Sequence, residues 1–332
     1  MIGFRPGLRA YLSFGKRSRG HFLRKQKGEQ SAPFSSSTTT GEFVFVNGSF
    51  LPKEEASISP FDRGYLFGDG VYEVVPVVSS KLVDKKYMLE RLAYSLQQLD
   101  IPDYFDDDGS ALIEILRKLV KLNDLKEGGV YLSVTRGVSF NRTFSYGVMK
   151  PSLFAFTFTG NIVNSPDFEK GLKVVSTRDL RWKRRDAKTL QLLGQCLGKQ
   201  AAVSEGADEG WMVEDDGTIT EGTSSSAWIV KDGKVITRAL ANTKILPGIR
   251  RRTVLEIMEE CSIPFEERDR GFTLQEALEA DEAMTSSASS IFKSVISIDG
   301  QRIGDGKPGP VARILRERYF ERFRRECEEE LE

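Results

Sequence analysis

The residue whose type and setting best suit chemistry is Lys188. It lies in the segment RRDAKTLQLLG (184–194), where a charged run gives way to an apolar one. A lysine at such a boundary is partly removed from water, and desolvation favours the neutral, reactive amine over the ammonium ion. We therefore predict a reactive lysine at this position. A surface lysine without a role is the alternative that the position alone leaves open.

Three further segments have groups that suit a bound anion. TEGTSSS (220–226) places Glu221 at a strand end, before a glycine and four consecutive hydroxyl residues. ILPGIRR (245–251) puts Pro-Gly before a helical run, whose free N–H groups and positive dipole end favour a phosphate. TSSASS (285–290) is a hydroxyl-rich turn between strands. Each segment also fits an ordinary loop or helix start, and GDG (68–70) most simply forms a turn.

The histidine and cysteine positions exclude several kinds of site. His21 is the only histidine, and it lies in an N-terminal segment that we leave out of the fold. Ser-His-Asp and Cys-His mechanisms and His-ligated metal sites are therefore excluded. The cysteines at 196, 261 and 327 form no C-x-x-C pair, which argues against a disulfide scaffold and a structural zinc site. Proton transfer must use Lys, Asp, Glu, Tyr, Cys or a cofactor.

Residues 1–40 have the composition of a targeting segment. They contain eight Lys/Arg and one acid, and they end in the Ser/Thr-rich stretch SAPFSSSTTTG (31–41). An Arg-rich, Ser-rich, acid-poor amphipathic start is typical of mitochondrial or plastid import, so we expect a mitochondrial location. A disordered basic tail or a misassigned start codon is the alternative, and the protein would then be cytoplasmic.

The rest of the chain is acidic and has the composition of a globular enzyme. Removing residues 1–40 leaves 40 basic residues against 47 acidic ones, a net charge of −7. Such a body is a poor candidate for nucleic-acid binding. No apolar run approaches the length of a membrane span. We therefore expect neither a nucleic acid nor a membrane as a partner.

Hydrophobic periodicity predicts an α+β fold. FVFVNGSFLP (43–52) is typical of two strands around an Asn-Gly turn, and 88–99, 111–123 and 251–261 have helical periodicity. The second half is mostly strand, with segregated helices, which favours α+β over a wound βαβ sheet. The polar segment 161–171 is the expected link between an N-terminal domain, 41–160, and a C-terminal domain, 172–332.

A lysine, a glutamate, phosphate-binding turns and the lack of histidine together suit pyridoxal phosphate (PLP). Its aldehyde needs a lysine and its ring nitrogen a carboxylate. From Phe43 to about Leu315 the sequence resembles the class IV (fold type IV) PLP-dependent aminotransferases, and within them the D-amino-acid aminotransferases. The matching segments, in family order, are FDRGYLFGDGVYEVV (61–75), ERL (90–92), YLSVTRG (131–137), RWKRRDAKTLQLLG (181–194), EGTSSSAWIV (221–230), ILPGIRR (245–251) and TSSAS (285–289).

The resemblance implies roles for individual residues. Lys188 would bind the cofactor covalently and move the substrate α-proton, and Glu221 would pair with the pyridine nitrogen. The phosphate would be held by a set of side chains and backbone N–H groups: Arg91, Ile249, Arg250, Ser286 and Ser287. Many members of the family have Thr at position 250, so a side-chain contact there is not implied.

Substrate recognition is implied less directly. In some members a Tyr, an Arg and a His trap the substrate carboxylate; Tyr72 and Arg142 match the first two, and Phe144 stands at the His position. The resemblance implies a small α/β N-terminal domain, a larger β-barrel-like C-terminal domain and a homodimer. It implies transamination between a D-amino acid, of the D-alanine or D-glutamate type, and a 2-oxo acid. An aminodeoxychorismate lyase or a branched-chain aminotransferase of the same class is the alternative.

Overall fold

A computed structural model describes residues 38–102, 105, 108–288 and 290–329. The first 37 residues, and with them nearly all of the segment interpreted as a targeting sequence, lie outside the described residues.

The first half of the described chain builds a six-stranded sheet. All neighbouring strands in it are antiparallel, in the order β2-β1-β6-β5-β3-β4. The strands are β1 (Thr40–Val46), β2 (Ser49–Pro52), β3 (Gly70–Val78), β4 (Lys81–Leu82), β5 (Gly128–Thr135) and β6 (Ser152–Thr159). The predicted hairpin is β1–β2, and its turn uses Asn47 and Gly48 at φ 46° and 100°, as a tight turn between twisted strands requires.

Three helices accompany this sheet: α1 (Arg63–Phe67), α2 (Lys85–Gln98) and α3 (Ser110–Leu122). The last two match the predicted helices at 88–99 and 111–123. Their apolar residues recur every three or four positions, so they form one face that packs on the sheet. The helix residues buried there include Leu92, Leu96, Leu112, Leu116 and Leu119.

The second half builds a ten-stranded mixed sheet. Its strands are β7 (Leu172–Arg178), β8 (Glu209–Val213), β9 (Thr218–Gly222), β10 (Ser226–Lys231), β11 (Lys234–Arg238), β12 (Phe265–Arg268), β13 (Phe272–Thr273), β14 (Glu282–Ser287), β15 (Ser290–Ile298) and β16 (Gln301–Arg302). The order is β12-β11-β10-β14-β15-β7-β8-β9-β13, with β16 paired to β15. Because β9 also lies against β10, and β13 against β11, the sheet curls into a nearly closed barrel.

Five helices belong to this half: α4 (Asp167–Lys170), α5 (Leu193–Ser204), α6 (Ile249–Glu260), α7 (Leu274–Leu278) and α8 (Pro310–Glu329). A 3₁₀ turn, Ala241–Thr243, precedes α6. Glu282 accepts hydrogen bonds from the N–H groups of Val311 (2.9 Å) and Ala312 (3.1 Å), which fixes the start of α8 against β14.

The arrangement confirms the predicted α+β fold with a barrel-like second part. The two sheets lie on either side of 161–171 in the sequence, and the division of the chain into domains at that segment stays a prediction. In the described part of the chain, no helix combines the length and the apolar character needed to cross a membrane.

Candidate active site

The backbone around Lys188 is bonded to the beginning of β3. The N–H of Tyr72 donates to the Lys188 carbonyl (3.0 Å), and the N–H of Leu190 donates to the Gly70 carbonyl (2.9 Å). The Lys188 N–H donates to Ser95 Oγ on α2 (3.1 Å). The side chain is half-buried, and its Nζ lies 4.1 Å from the centroid of the Tyr72 ring. The lysine thus stands at the partly desolvated position that its sequence setting predicts.

Lys188 opens into a cavity of about 180 Å³ between the two sheets. Eight of the nine residues singled out from the sequence line this cavity. They are Tyr72, Arg91, Lys188, Glu221, Ile249, Arg250, Ser286 and Ser287. The ninth, Arg142, does not. Residues that are up to 215 positions apart in the sequence (72 and 287) therefore meet around one space.

Glu221 is the buried carboxylate of the cavity. It lies near the end of β9 and forms an ion pair with Arg181 through Oε1. The N–H of Leu246 donates to both of its oxygens, at 3.2 Å and 3.3 Å. Oε2 has only the longer of these contacts among the described residues, so it can accept a further hydrogen bond from a group in the cavity.

Arg181 was not singled out from the sequence, yet it holds Glu221 in place. Its Nη2 donates to Asp179 Oδ2 (2.8 Å) and to Thr220 Oγ1 (3.1 Å). Burial opposes the charge on Arg181, but the Glu221 and Asp179 carboxylates outweigh it and raise the pKa of the guanidinium. Burial likewise opposes ionisation of Asp179, but hydrogen bonds from Arg181 and Thr220 lower the pKa of that carboxyl. The network therefore fixes a permanent positive charge against Glu221.

The beginning of α6 supplies N–H groups to the cavity. Gly248 precedes the helix in an extended conformation (φ −62°, ψ 130°) and offers no capping side chain, and the helical bonds start with Arg252 N to Gly248 O (3.1 Å). A Cβ at Gly248 would come within 3.0 Å of Ser226 Oγ, so a glycine lets the chain pass here. Uncapped N–H groups at a helix start, Ile249 and Arg250 among them, suit an anion.

The last two residues of β14 and Ala288 after it, which together we call the hydroxyl turn (286–288), face the same space. Ser286 Oγ accepts a hydrogen bond from Trp228 Nε1 (3.0 Å). Because the indole can only donate, the Ser286 hydroxyl keeps its own proton for another acceptor. Ser287 Oγ is 2.8 Å from Ser290 Oγ. The turn and the start of α6 together form a cup of donors.

Arg91 supplies a fixed positive charge to this cup. From the leucine stripe of α2 alone it would be taken for a solvated helix residue, but the structure buries it. Its Nε and Nη2 donate to the two oxygens of the fully buried Glu73, at 2.8 Å and 2.7 Å, and its Nη1 donates to the Pro247 carbonyl (3.1 Å). The carboxylate of β3 orients the guanidinium, and the Pro247 contact ties α2 to the segment before α6.

Tyr72 and Arg142, the predicted carboxylate partners, lie in different places. Tyr72 is in the cavity, stacked on Tyr131 with ring centroids 5.6 Å apart. Burial, and then the neighbouring Tyr72, raise the pKa of Tyr131 to about 12. Arg142 is exposed on the loop 138–150, with its guanidinium 5.5 Å from the Phe67 ring centroid and 5.9 Å from that of Phe144. Of these two residues, only Tyr72 reaches the cavity of its own chain.

Trp182, Gln195 and Ser225 are among the further cavity residues that the sequence analysis did not name individually. Gln195 Oε1 and Ser225 Oγ are buried without a hydrogen-bond partner in the described part of the chain. Groups left unpaired beside a cavity suit a polar ligand, because burying them otherwise costs free energy. The hydroxyl run 223–226 was a signal for Ser225; nothing in the sequence pointed to Gln195.

Comparison with known families decides what this cavity belongs to. A family model described as amino-transferase class IV matches residues 70–298, which include Tyr72, Lys188, Glu221 and the cup. The chain belongs to the class IV aminotransferases. It is an aminotransferase that uses PLP.

Individual D-alanine aminotransferases are similar in sequence to this chain over most of their length. A D-alanine aminotransferase of Staphylococcus haemolyticus is 39% identical over 279 residues, which cover 83% of this chain and 96% of that protein. A D-alanine aminotransferase of Bacillus licheniformis is 37% identical over 273 residues, or 81% and 93% of the two chains.

A solved structure shows the same fold at lower identity. The branched-chain amino acid aminotransferase of Escherichia coli has a TM-score of 0.77 at 22% identity, and the match covers 84% of this chain and 94% of that one. A likeness at this identity concerns the fold alone.

The cavity of this chain fits the cofactor of the class IV aminotransferases. PLP has an aldehyde, a basic ring nitrogen and a phosphate; the cavity has an amine at Lys188, a carboxylate at Glu221 and a cup of donors with a fixed charge at Arg91. When bound, PLP supplies an aldehyde that takes up the amino group and a ring that stabilises negative charge at the substrate α-carbon.

The same relatives correct the expected location. The mitochondrial or plastid location inferred from residues 1–40 is wrong, because the similar proteins belong to Staphylococcus and Bacillus, and bacteria have neither organelle. The transit-peptide interpretation loses its basis with it. The physical reason is that a basic, Ser-rich composition is not unique to import sequences.

Proposed function

We propose that this chain transfers an amino group between a D-amino acid, of the D-alanine or D-glutamate type, and a 2-oxo acid. The observation that carries the proposal is one cavity in which Lys188, Glu221 and the uncapped start of α6 converge. The choice of D-amino acids is supported by similar proteins that are D-alanine aminotransferases, at 37–39% identity over most of the chain.

Lys188 is the residue that we assign to covalent attachment and to proton transfer at the α-carbon. Its backbone is bonded to β3 and α2, so the amine is presented to the cavity by a short, well-anchored segment. The face of the Tyr72 ring lies beside Nζ. A proton-transfer group must be held within hydrogen-bond reach of its target, and this anchoring limits where Nζ can go.

Glu221 is the residue that we assign to the ring nitrogen. Arg181 and the Leu246 N–H hold its Oε1, while Oε2 keeps lone pairs for a donor in the cavity. A carboxylate in this position stabilises a protonated ring nitrogen, because opposite charges attract strongly where water is excluded.

The phosphate is assigned to the cup. The N–H groups of Ile249 and Arg250 and the hydroxyls of Ser286 and Ser287 would donate to its oxygens, with the Arg91 charge behind them. Phosphate groups are stabilised by helix N-termini because several N–H groups and the helix dipole point at the same place.

The assembly that we propose is a homodimer, and its contact face would include the loop 138–150. Phe140, Phe144 and Val148 on this loop are 80%, 79% and 99% exposed, which is unusual for neighbouring large apolar residues. Arg63 donates to the carbonyls of Thr143 (2.7 Å) and Phe144 (3.2 Å), so the loop is held in place. Since Arg142 is outside its own cavity, it would act on a substrate carboxylate in the partner subunit.

A substrate panel tests the function. We expect the purified holoenzyme to transfer amino groups from D-alanine to 2-oxoglutarate and from D-glutamate to pyruvate by ping-pong kinetics, and to use L-amino acids poorly. Activity on L-leucine without activity on D-alanine would indicate a branched-chain aminotransferase. Release of pyruvate and an aminobenzoate from aminodeoxychorismate would indicate a lyase. Either result contradicts the proposal.

A further inference from the structure

Arg250 combines a backbone in the cavity with a side chain that is almost completely buried. It is the second residue of α6, and its N–H belongs to the donor cup. The residue is only 2% exposed. A buried guanidinium has to find acceptors for its donors, because an unpaired buried charge is costly. Nε and Nη2 have hydrogen-bond acceptors and Nη1 has an ion-pair partner, and these lie in two other parts of the fold.

The first part is the hydroxyl turn at the end of β14. Arg250 Nε donates to the Ser287 carbonyl (3.3 Å), and Nη2 donates to the Ala288 carbonyl (3.0 Å). These carbonyls belong to the turn whose hydroxyls face the cavity. The planar guanidinium therefore sets the distance and orientation between the start of α6 and this turn.

The second part is the beginning of α2, the helix that carries Arg91. Arg250 Nη1 lies 2.9 Å from Asp84 Oδ2, and Asp84 directly precedes α2. An Asp in this position usually caps its own helix with the side chain, but Asp84 makes no such bond. Its carboxylate is used for Arg250 and for the hydroxyl of Tyr319, which donates to Oδ2 (2.5 Å).

Tyr319 connects the C-terminal helix to this pair. It lies on α8, is 2% exposed, and its ring centroid is 4.6 Å from the Arg250 guanidinium carbon. The ring thus covers the guanidinium while its hydroxyl binds the carboxylate that pairs with it. The described residues that line the cavity do not include Asp84 or Tyr319.

We propose that Arg250 is a positioning residue for the phosphate cup, and that Asp84 and Tyr319 hold it from behind. One guanidinium joins the three segments that supply the cup: α6, the 286–288 turn and α2. The inference rests on the proposed phosphate cup. Its consequence is that α8, which has no residue in the cavity lining of the described chain, determines how strongly the phosphate is held.

The physical reason is preorganisation. Donors that are held at the correct spacing before the anion arrives bind it more tightly, because less ordering has to occur on binding. Lysine at position 250 keeps the charge that pairs with Asp84 but cannot donate to both carbonyls through a planar fork. Phe at position 319 removes only a hydroxyl group.

The experiment measures the phosphate contribution to binding. Full-length protein stripped of cofactor is titrated with pyridoxal 5'-phosphate and with pyridoxal, which lacks the phosphate, and the ratio of the two Kd values is determined. For Arg250→Lys we expect the preference for the phosphorylated form to fall about tenfold, and for Tyr319→Phe about threefold, with little change for pyridoxal. Inorganic phosphate should compete correspondingly less well.

Arg316→Lys is the matched control. Arg316 is also a guanidinium over an aromatic ring, 3.8 Å from the Phe168 centroid, and it donates to the Val163 carbonyl (2.7 Å), but it lies outside the cup. Its substitution should leave the ratio unchanged. An unchanged ratio in both Arg250→Lys and Tyr319→Phe overturns the inference, as does an equal loss for both ligands, which means a general structural defect. If the unsubstituted protein binds both ligands equally, the proposed cup itself is wrong.

Discussion

Glu221 is a carboxylate whose protein neighbours occupy one oxygen and leave the other nearly unshared. Arg181 was missed from the sequence because a guanidinium in the polar segment RWKRRDAK looks like any solvated charge. What decides its role is the proximity of Asp179, Thr220 and Glu221. The strand pairing that brings these residues together cannot be read from local spacing.

Replacing Glu221 with Gln tests its assignment. Gln keeps the shape but removes the charge that would hold the ring nitrogen protonated, so we expect kcat to fall about a hundredfold while the protein stays yellow with bound cofactor. Steady-state kinetics and an absorption spectrum measure both. Glu276→Gln is the control, since Glu276 pairs with Arg268 and neither residue lines the cavity. A kcat close to that of the unsubstituted enzyme would mean that Glu221 is not the ring partner.

The candidate site residues could be predicted from the sequence where they lie in a recognisable local pattern. Lys188, Glu221 and the start of α6 were found because each changes the local pattern: a charge at an apolar boundary, an acid before hydroxyls, a Pro-Gly before a helix. Arg91 was implied only by the family resemblance. Its burial depends on Glu73, eighteen residues earlier on a strand, and no helical periodicity shows such a partner.

At the scale of elements, helix α8 carries a carboxyl group whose pKa is shifted by its buried surroundings. Its Glu326 accepts a hydrogen bond from the Asp84 N–H (2.9 Å), next to the Arg250 ion pair. Burial, and then the Asp84 carboxylate, raise the pKa of Glu326 to about 7 from a usual 4.5. The cations that face it, Arg250 and Lys85 among them, lower this pKa only in part.

We predict that Glu326→Gln makes the protein less sensitive to pH. The folded state binds a proton at Glu326 that the unfolded chain has lost, so the free energy of unfolding falls as pH rises from about 4.5 to about 7. The loss should be about 1–2 kcal/mol, allowing for the solvent that reaches the carboxyl. Urea unfolding at pH 5, 6 and 7 measures it, with the exposed Glu321→Gln as the control. Equal slopes for the variant and the unsubstituted protein would refute the prediction.

Helix α8 itself was not predicted, although its apolar stripe exists. Ala312, Leu315, Tyr319 and Phe323 recur at helical spacing and are fully or nearly fully buried. The residues between them are mostly Arg and Glu, which lower the mean hydropathy of the segment. By contrast, α2, α3 and the Asn-Gly hairpin were predicted within a few residues. Their apolar periodicity and turn residues lie within short segments in which few charged residues interrupt the pattern.

At the scale of the whole molecule, Arg142 links the site to the proposed dimer. Its place on an exposed loop of large apolar residues favours a site shared between two chains. If so, a chain with Lys188→Ala and a chain with Arg142→Ala should complement each other when co-expressed. Each heterodimer then has one cavity with both residues intact, and random pairing restores about one quarter of the sites.

The measurement is transaminase activity per mole of purified, co-expressed protein. Either variant alone should be weak, and Arg142→Ala should raise KM for the amino acid and the 2-oxo acid alike, because a guanidinium fork binds both carboxylates. Lys188→Ala paired with Glu221→Gln is the control, since both residues belong to the cavity of one chain. A heterodimer of these two variants therefore has no cavity in which both residues are intact. Failure of the first pair to gain activity would place Arg142 outside the reaction or within its own chain's cavity.

The hydrogen bonds between the Lys188 segment and β3 have a mechanical consequence. Lys188 and Tyr72 are tied together by main-chain bonds of the six-stranded sheet, whereas Glu221 and the start of α6 belong to the ten-stranded barrel. The site is therefore built from two sheets, with the amine and the aromatic ring anchored on one and the two charge-holding groups on the other. The contacts of Arg91 with Pro247 and of Arg250 with Asp84 join the two sheets beside the site. These side-chain links therefore set the distance between the amine and the charge-holding groups.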